Sequence, residues 1–333
     1  MQPIRRILVA IKDPKARSLP AVAKAAQLAR ALGADIELFH AIDAPLSVDV
    51  TNLLGGQDVK QLESDWRKRC LRQLDRAAAR VSDTGLKATT AVAWDYPGYA
   101  AVIRRARRIR ADLIVAERHP GRHVVPWLLH MTDWELLRLS PVPVLIVKSR
   151  RPYRRPVVLA AVDPSHAFAK PGRLDGEILR LAGAVTDALH GSLHALHACP
   201  LPLPTGMPPE AWTSGKVRAE DIRAEIGVKA VAQAWPGFDR VLKSAPIPRS
   251  RRHLVARHPV NAIPDVARKT RSAIVVMGAV SRSGLKSVFI GNTAERVLDR
   301  LPCDLLVVKP LRFATRVPRA VRGVRIAVAG PVS

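Results

Sequence analysis

Aromatic side chains make up only 4% of this 333-residue chain, too few to lay out the ring platforms on which single-stranded nucleic acid stacks. Cysteine is scarcer still. Cys70, Cys199 and Cys303 stand far apart with no Cys-x-x-Cys pair, which argues against a disulfide framework, a zinc site or a thioredoxin-like motif and for buried free thiols. No apolar run approaches the roughly 20 residues that span a bilayer. The opening Met1-Gln2-Pro3-Ile4-Arg5-Arg6 leads into a strand-like run rather than a signal peptide, so the expected location is cytoplasmic, with no membrane span. A Gly-x4-Gly-Lys-Ser/Thr segment is missing, which leaves a Walker-type ATPase unsupported. No nucleophile-base-orienter trio is recognisable, and no enzyme is expected. His190, His194 and His197 straddle a helix end and a strand on which His194 and His197 face opposite ways, so no metal site is expected either.

Negative charge is also in short supply, with 28 Asp and Glu against 54 Lys and Arg and a formal net charge of +26. Such a balance attracts polyanions such as nucleic acid, anionic lipid or nucleotides without choosing among them. The plain alternative is an arginine-solvated surface. Arg104, Arg105, Arg107, Arg108 and Arg110 load one helical segment, yet they spread over more than one face, the pattern of a solvated helix rather than of a groove reader.

What the chain does have is apolar material, 48% of its residues, enough for two cores of ordinary domain size. Both halves begin with a hydrophobic run ending in aspartate, Ile7 to Asp13 and Val157 to Asp163, at an offset of 150 residues. Later the match returns without gaps, Ala111 to Val115 against Ser272 to Val276 and Pro141 to Lys148 against Pro302 to Lys309, at an offset of 161 residues. The difference places about 11 extra residues in the second copy, most of them in the Pro-rich stretch Cys199 to Pro209, which reads as a surface loop. Arg150 to Pro156, charged and proline-punctuated, is the linker candidate. The chain thus divides into residues 1–150, 151–310 and a basic extension, 311–333, whose arginines are also open to polyanions.

Periodicity predicts strands near 4–12, 35–42, 87–94, 112–117 and 143–148, alternating with helices near 18–32, 58–82, 98–110 and 131–139. Gly33 sits at a helix C-cap and Pro97-Gly98 opens the third helix. The second copy repeats the series with strands near 157–162, 192–198, 251–257, 273–278 and 304–309. Five strands separated by helices form a doubly wound parallel sheet, so the expected fold is α/β, two tandem Rossmann-like domains with ligands beyond the carboxyl ends of the strands.

The segments Met277 to Lys286, Ile290 to Leu298 and Cys303 to Pro310 resemble the universal stress protein family, and Thr132 to Arg138 with Pro141 to Val144 resembles the degenerate first domain of its tandem E-type members. The family's phosphate loop, Gly-x2-Gly-x9-Gly-Ser/Thr, reads here as Gly278, Ser281 in place of the second glycine, Gly291, and Asn292 where the hydroxyl residue stands. In such a turn glycines let the backbone approach phosphate oxygens while amides at the next helix start donate to them. The resemblance thus implies ATP or a related nucleotide held by amides from Gly278 to Gly284 and Gly291 to Thr293, with Arg282 and Lys286 near the phosphates. It also puts Asp163 by the adenine and ribose and Val162 on the base pocket. Ser281 still offers a hydroxyl, though it weakens any step needing a positive φ. The other reading makes Asp163-Pro164-Ser165 a turn and Asn292 or Thr293 a helix cap.

In the first copy Glu117, Pro120 and His130 fall where Gly278, Ser281 and Gly291 stand. A carboxylate facing an anion and a proline lacking a donor remove the site, whatever Asp13 does. The resemblance makes that copy a folded partner packing against the second as an intramolecular pseudo-dimer, and a homodimer is a further arrangement it allows. The expected function is a stress-response protein with ATP as regulatory ligand, slow hydrolysis remaining a weaker option. The alternative is a scaffold with a decayed site whose basic surface engages nucleic acid or acidic partners.

Overall fold

The computed structural model describes residues 3–42, 56–118, 131–164, 174–200, 219–279, 292–311 and 313–319. The chain separates into two compact units, one of residues 1–153 together with 312–333 and the other of residues 154–311.

In the first unit β1 (Arg6–Ala10), α1 (Pro20–Leu32), β2 (Asp35–Ile42), α2 (Gly56–Ser82), β3 (Ala88–Trp94), α3 (Gly98–Arg108), β4 (Leu113–Glu117), α4 (Met131–Leu139) and β5 (Val144–Val147) alternate. The strands lie in the order β3-β2-β1-β4-β5, every pair parallel where its register is defined. Central strands carry unbroken apolar runs because helices cover both of their faces, and Ile7, Leu8, Val9, Ile114 and Val115 are fully buried. The edge strand β3, Ala-Thr-Thr-Ala-Val-Ala-Trp, is only half-buried along its length. Helix α1 starts with proline at its first position and stops at Gly33, whose φ of 65° is the left-handed cap that a residue without Cβ adopts freely.

The second unit repeats the plan with β6 (Val157–Val162), α5 (Leu174–Ala188), β7 (Ser192–Cys199), α6 (Ala219–Leu242), β8 (Arg252–Ala256), α7 (Pro259–Lys269), β9 (Ile274–Gly278), α8 (Asn292–Arg300) and β10 (Asp304–Val308). Its order is β10-β9-β6-β7-β8, again parallel. The elements expected from the sequence are therefore present in both halves, with bounds moved by a few residues. The Pro-rich stretch lies largely outside the described residues, from 201 onward.

Two segments that the sequence leaves loose are anchored. Tyr153, inside the linker candidate, is buried, donates its N–H to Gln27 Oε1 at 3.0 Å and places its ring 4.2 Å from Lys24 Nζ. In the extension, Val317 is buried and its carbonyl accepts from Arg107 Nη1 at 3.0 Å.

The arginines of α3 do not simply face solvent as expected. Arg105 grips Glu37 of β2 with two bonds, 2.6 and 2.8 Å, and Arg104 grips Asp95 with two more, 2.8 and 2.5 Å. Both carboxylates are buried, and two-pronged guanidinium pairs of this kind fix a helix against a sheet. Glu37→Gln should therefore lower stability by about 1–3 kcal/mol, since a partly buried guanidinium loses its counter-charge. The exposed pair Lys229–Glu225 supplies the contrast. Urea unfolding of Glu225→Gln should superimpose on the parent curve while Glu37→Gln shifts to lower midpoint.

Candidate functional site

In the second unit the strand order reverses between β6 and β9, which are adjacent with Ala161 opposite Met277. Reversal opens a crevice at the carboxyl ends of those two strands. Val162 closes β6 and Gly278 closes β9, so the two fall side by side. Asp163, the next residue, is buried at 7% exposure, and its N–H donates to Asp175 Oδ1 at 3.0 Å. Asp175, in the first turn of α5, is itself buried. This contact ties the exit of β6 to the start of α5.

Two side chains of β7 lie close to this strand exit. His197 of β7 is buried, with Nδ1 3.3 Å from the Val162 carbonyl oxygen and its ring 6.0 Å from that of Phe238. Burial, and then the charge of Asp163, push the Cys199 thiol up from its ordinary range, so this thiol stays protonated and unreactive at neutral pH.

Gly278 has a packing reason of its own. A Cβ built there would stand 2.5 Å from Leu174 Cδ2, 2.9 Å from Leu174 Cγ and 3.2 Å from Ile178 Cδ1, so helix α5 packs directly over its Cα. Sequence reasoning assigned this glycine to the phosphate turn, and missed both Leu174 and Asp175. The acidic first turn of α5 was a visible signal, but its tie to Asp163 crosses 12 residues and needs the folded turn to appear.

Of the remaining sequence-derived positions, Ser281, Arg282, Gly284, Lys286 and Gly291 lie outside the described residues. Asn292 and Thr293 form the start of α8, their side chains not being described. The structure thus brings together Val162, Asp163 and Gly278.

The first unit differs at the same place. Asp13 is exposed three residues beyond β1, and its Oδ1 accepts the Lys15 N–H at 2.9 Å in an Asx-type turn. Glu117, ending β4, occupies the position of Gly278. Pro120 and His130 are outside the described residues.

The histidines of β7 and its neighbour do other work. His194 Nδ1 lies 3.0 Å from His253 Nε2, with the rings stacked at 5.3 Å. Burial, the nearby His253 and Arg251 hold His194 down to about 4, while burial and Lys269 lower His253. Among the described residues no group of three or more metal-binding side chains occurs, and no helix is long and apolar enough to cross a membrane.

Comparison with known proteins adds the kinship. The sequence model of the Universal stress protein family matches residues 3–148 and again 158–309. The chain is 30% identical over 320 residues to universal stress protein E of Salmonella typhi, a match covering 93% of this chain and 96% of that one. It is similar in fold to a functionally unknown protein from Pseudomonas aeruginosa PAO1, with TM-score 0.67, 24% identity, and 92% of this chain and 93% of that one covered. A universal stress protein from Archaeoglobus fulgidus gives TM-score 0.57 at 17% identity over 91% and 98% of the two chains.

Two outcomes are expected. Gly278→Ala should destabilise the second unit by about 1–3 kcal/mol through overpacking, and Leu174→Ala in the same chain should return part of that loss, as a double-mutant cycle by urea unfolding would show. His194 favours its neutral form when folded, so its stabilisation is complete above pH 6.5 and drains away as pH falls toward about 4. The fall of Tm with acidification across that window should be shallower in His194→Phe.

Proposed function

Given that this chain belongs to the universal stress protein family as a tandem, E-type member, we propose that its second unit binds ATP or a closely related nucleotide as a regulatory ligand, and that the protein responds to that ligand rather than acting as a strong catalyst. The observation that carries this reading is the placement of Asp163, a buried carboxylate at the mouth of the strand-order switch beside Gly278.

The chemistry of the crevice suits such a guest. Carboxylates accept hydrogen bonds only, so Asp163, backed by Asp175, matches the donors of a nucleoside, its ribose hydroxyls and exocyclic amine, and repels phosphate. The phosphates then belong on the opposite side of the crevice, where the segment from Gly278 to Thr293 leads into α8 and amides at a helix start carry the complementary partial charge. In this reading Val162 lines the base, Asp163 holds the nucleoside, and amides from Gly278 to Gly284 and Gly291 to Thr293 hold phosphate, with Ser281 and Arg282 beside them. The first unit, with Asp13 turned to solvent and Glu117 at the strand end, lacks the same complement.

Equilibrium binding of labelled ATP tests this. Wild type should saturate, Ser281→Gly should bind more tightly, and Gly291→Glu should lose binding by at least about tenfold, the effect of placing a carboxylate against phosphate. Absence of saturable binding by wild type at millimolar ATP would sink the proposal.

A further inference from the structure

The first unit contains a cavity of about 820 Å³ in which half of the lining residues are arginine. Its floor includes Phe39 of β2 and the small Ala91 and Ala93 of β3, which leave a hollow beside the point where α3 crosses the sheet. Arg104 and Arg105 line the wall, but each is spent on a carboxylate, Asp95 or Glu37. Arg107 adds its charge while donating to the Val317 carbonyl. Around the same hollow stand Arg67 from α2, Arg108 at the end of α3, Arg110 two residues beyond it, and Arg319 from the C-terminal extension. All four are exposed, and among the described residues none of them has an acidic partner.

Gathering like charges around one concavity costs stability through mutual repulsion. Plain solvation of a basic surface does not explain it, because solvation is served best by dispersing the charges. Three separate elements, α2, α3 and the extension, each deliver guanidiniums to one rim, and the paired Arg104 and Arg105 hold the wall that presents them. Guanidinium groups are planar forks matched to phosphate oxygens. A single phosphate neutralises at most two of them, whereas the rim and Arg107 present five charges without an acidic partner.

The geometry points to a second ligand site in the first unit, a receptor for a small anion carrying two or more linked phosphate groups. It is separate from the crevice at the strand ends: the cavity lies over the face of β2 and β3, bordered by the C-terminal half of α3. The extension is part of the receptor, since Val317 docks on Arg107 and thereby sets Arg319 at the rim. A strand of nucleic acid calls instead for an open track of charge, and the charges here ring a hollow of small-molecule size.

Inorganic tripolyphosphate is the probe, titrated calorimetrically into the full-length chain carrying Gly291→Glu, so that any phosphate binding in the second unit is suppressed. Saturable binding is expected, weakened by at least about tenfold in Arg108→Gln/Arg110→Asn and in Arg319→Gln, with orthophosphate much weaker than tripolyphosphate. Without ligand, Arg108→Gln/Arg110→Asn should melt no lower than its parent, because repulsion is relieved, and it should lose the Tm rise that tripolyphosphate gives the parent. Unchanged affinity in these variants, or no saturable binding in the parent, overturns the assignment. A result in which the variants lose binding to a duplex oligonucleotide while tripolyphosphate neither binds nor competes also overturns it, in favour of a nucleic-acid surface.

Discussion

The second unit is organised around a direction change that its sheet cannot avoid. With β7 on one side of β6 and β9 on the other, the crossovers leaving toward the two sides cover opposite faces, and the chain parts at the carboxyl end of β6. Whatever occupies that gap must be supplied by the exits of β6 and β9 and by the helix starts that follow. Here the supply is a buried carboxylate, a helix-borne carboxylate that holds its amide, and a glycine over which α5 closes. The bond from the Asp163 N–H to Asp175 fixes the exit of β6 against the first turn of α5.

The same topology in the first unit carries different side chains at the same strand ends. There the aspartate lies three residues past its strand and spends its oxygen on its own turn, and the strand end carries Glu117. That unit gathers its charge elsewhere, on α3 and around the hollow beside it. Two copies of one fold have therefore diverged in where their polar groups converge rather than in how their sheets are built.

How much of this was visible in the residues follows from the range of each interaction. The strands stood out because a parallel strand buried on both faces is an unbroken apolar word, such as Ile7-Leu8-Val9 or Val158-Leu159-Ala160, and the helix ends because Gly33 and Pro97 act within one turn. The partnership of Asp163 with Asp175, the approach of Leu174 to Gly278, and the pairing of Arg105 with Glu37 across 68 residues depend on where distant elements land. Reading α3 as a solvated helix failed for that reason: the carboxylates that bind two of its arginines come from β2 and the exit of β3, and helical periodicity is blind to both.

The burial of Val317 against Arg107 carries a consequence for biosynthesis. The first unit owns residues on both sides of the second, so in synthesis its earlier part is missing a piece until the whole of the second unit has been made. Its sheet has all its strands early, but the surface of α3 waits through the synthesis of the entire second half for its cover. The unit whose synthesis starts earlier thus receives this cover only after its neighbour's residues are in place.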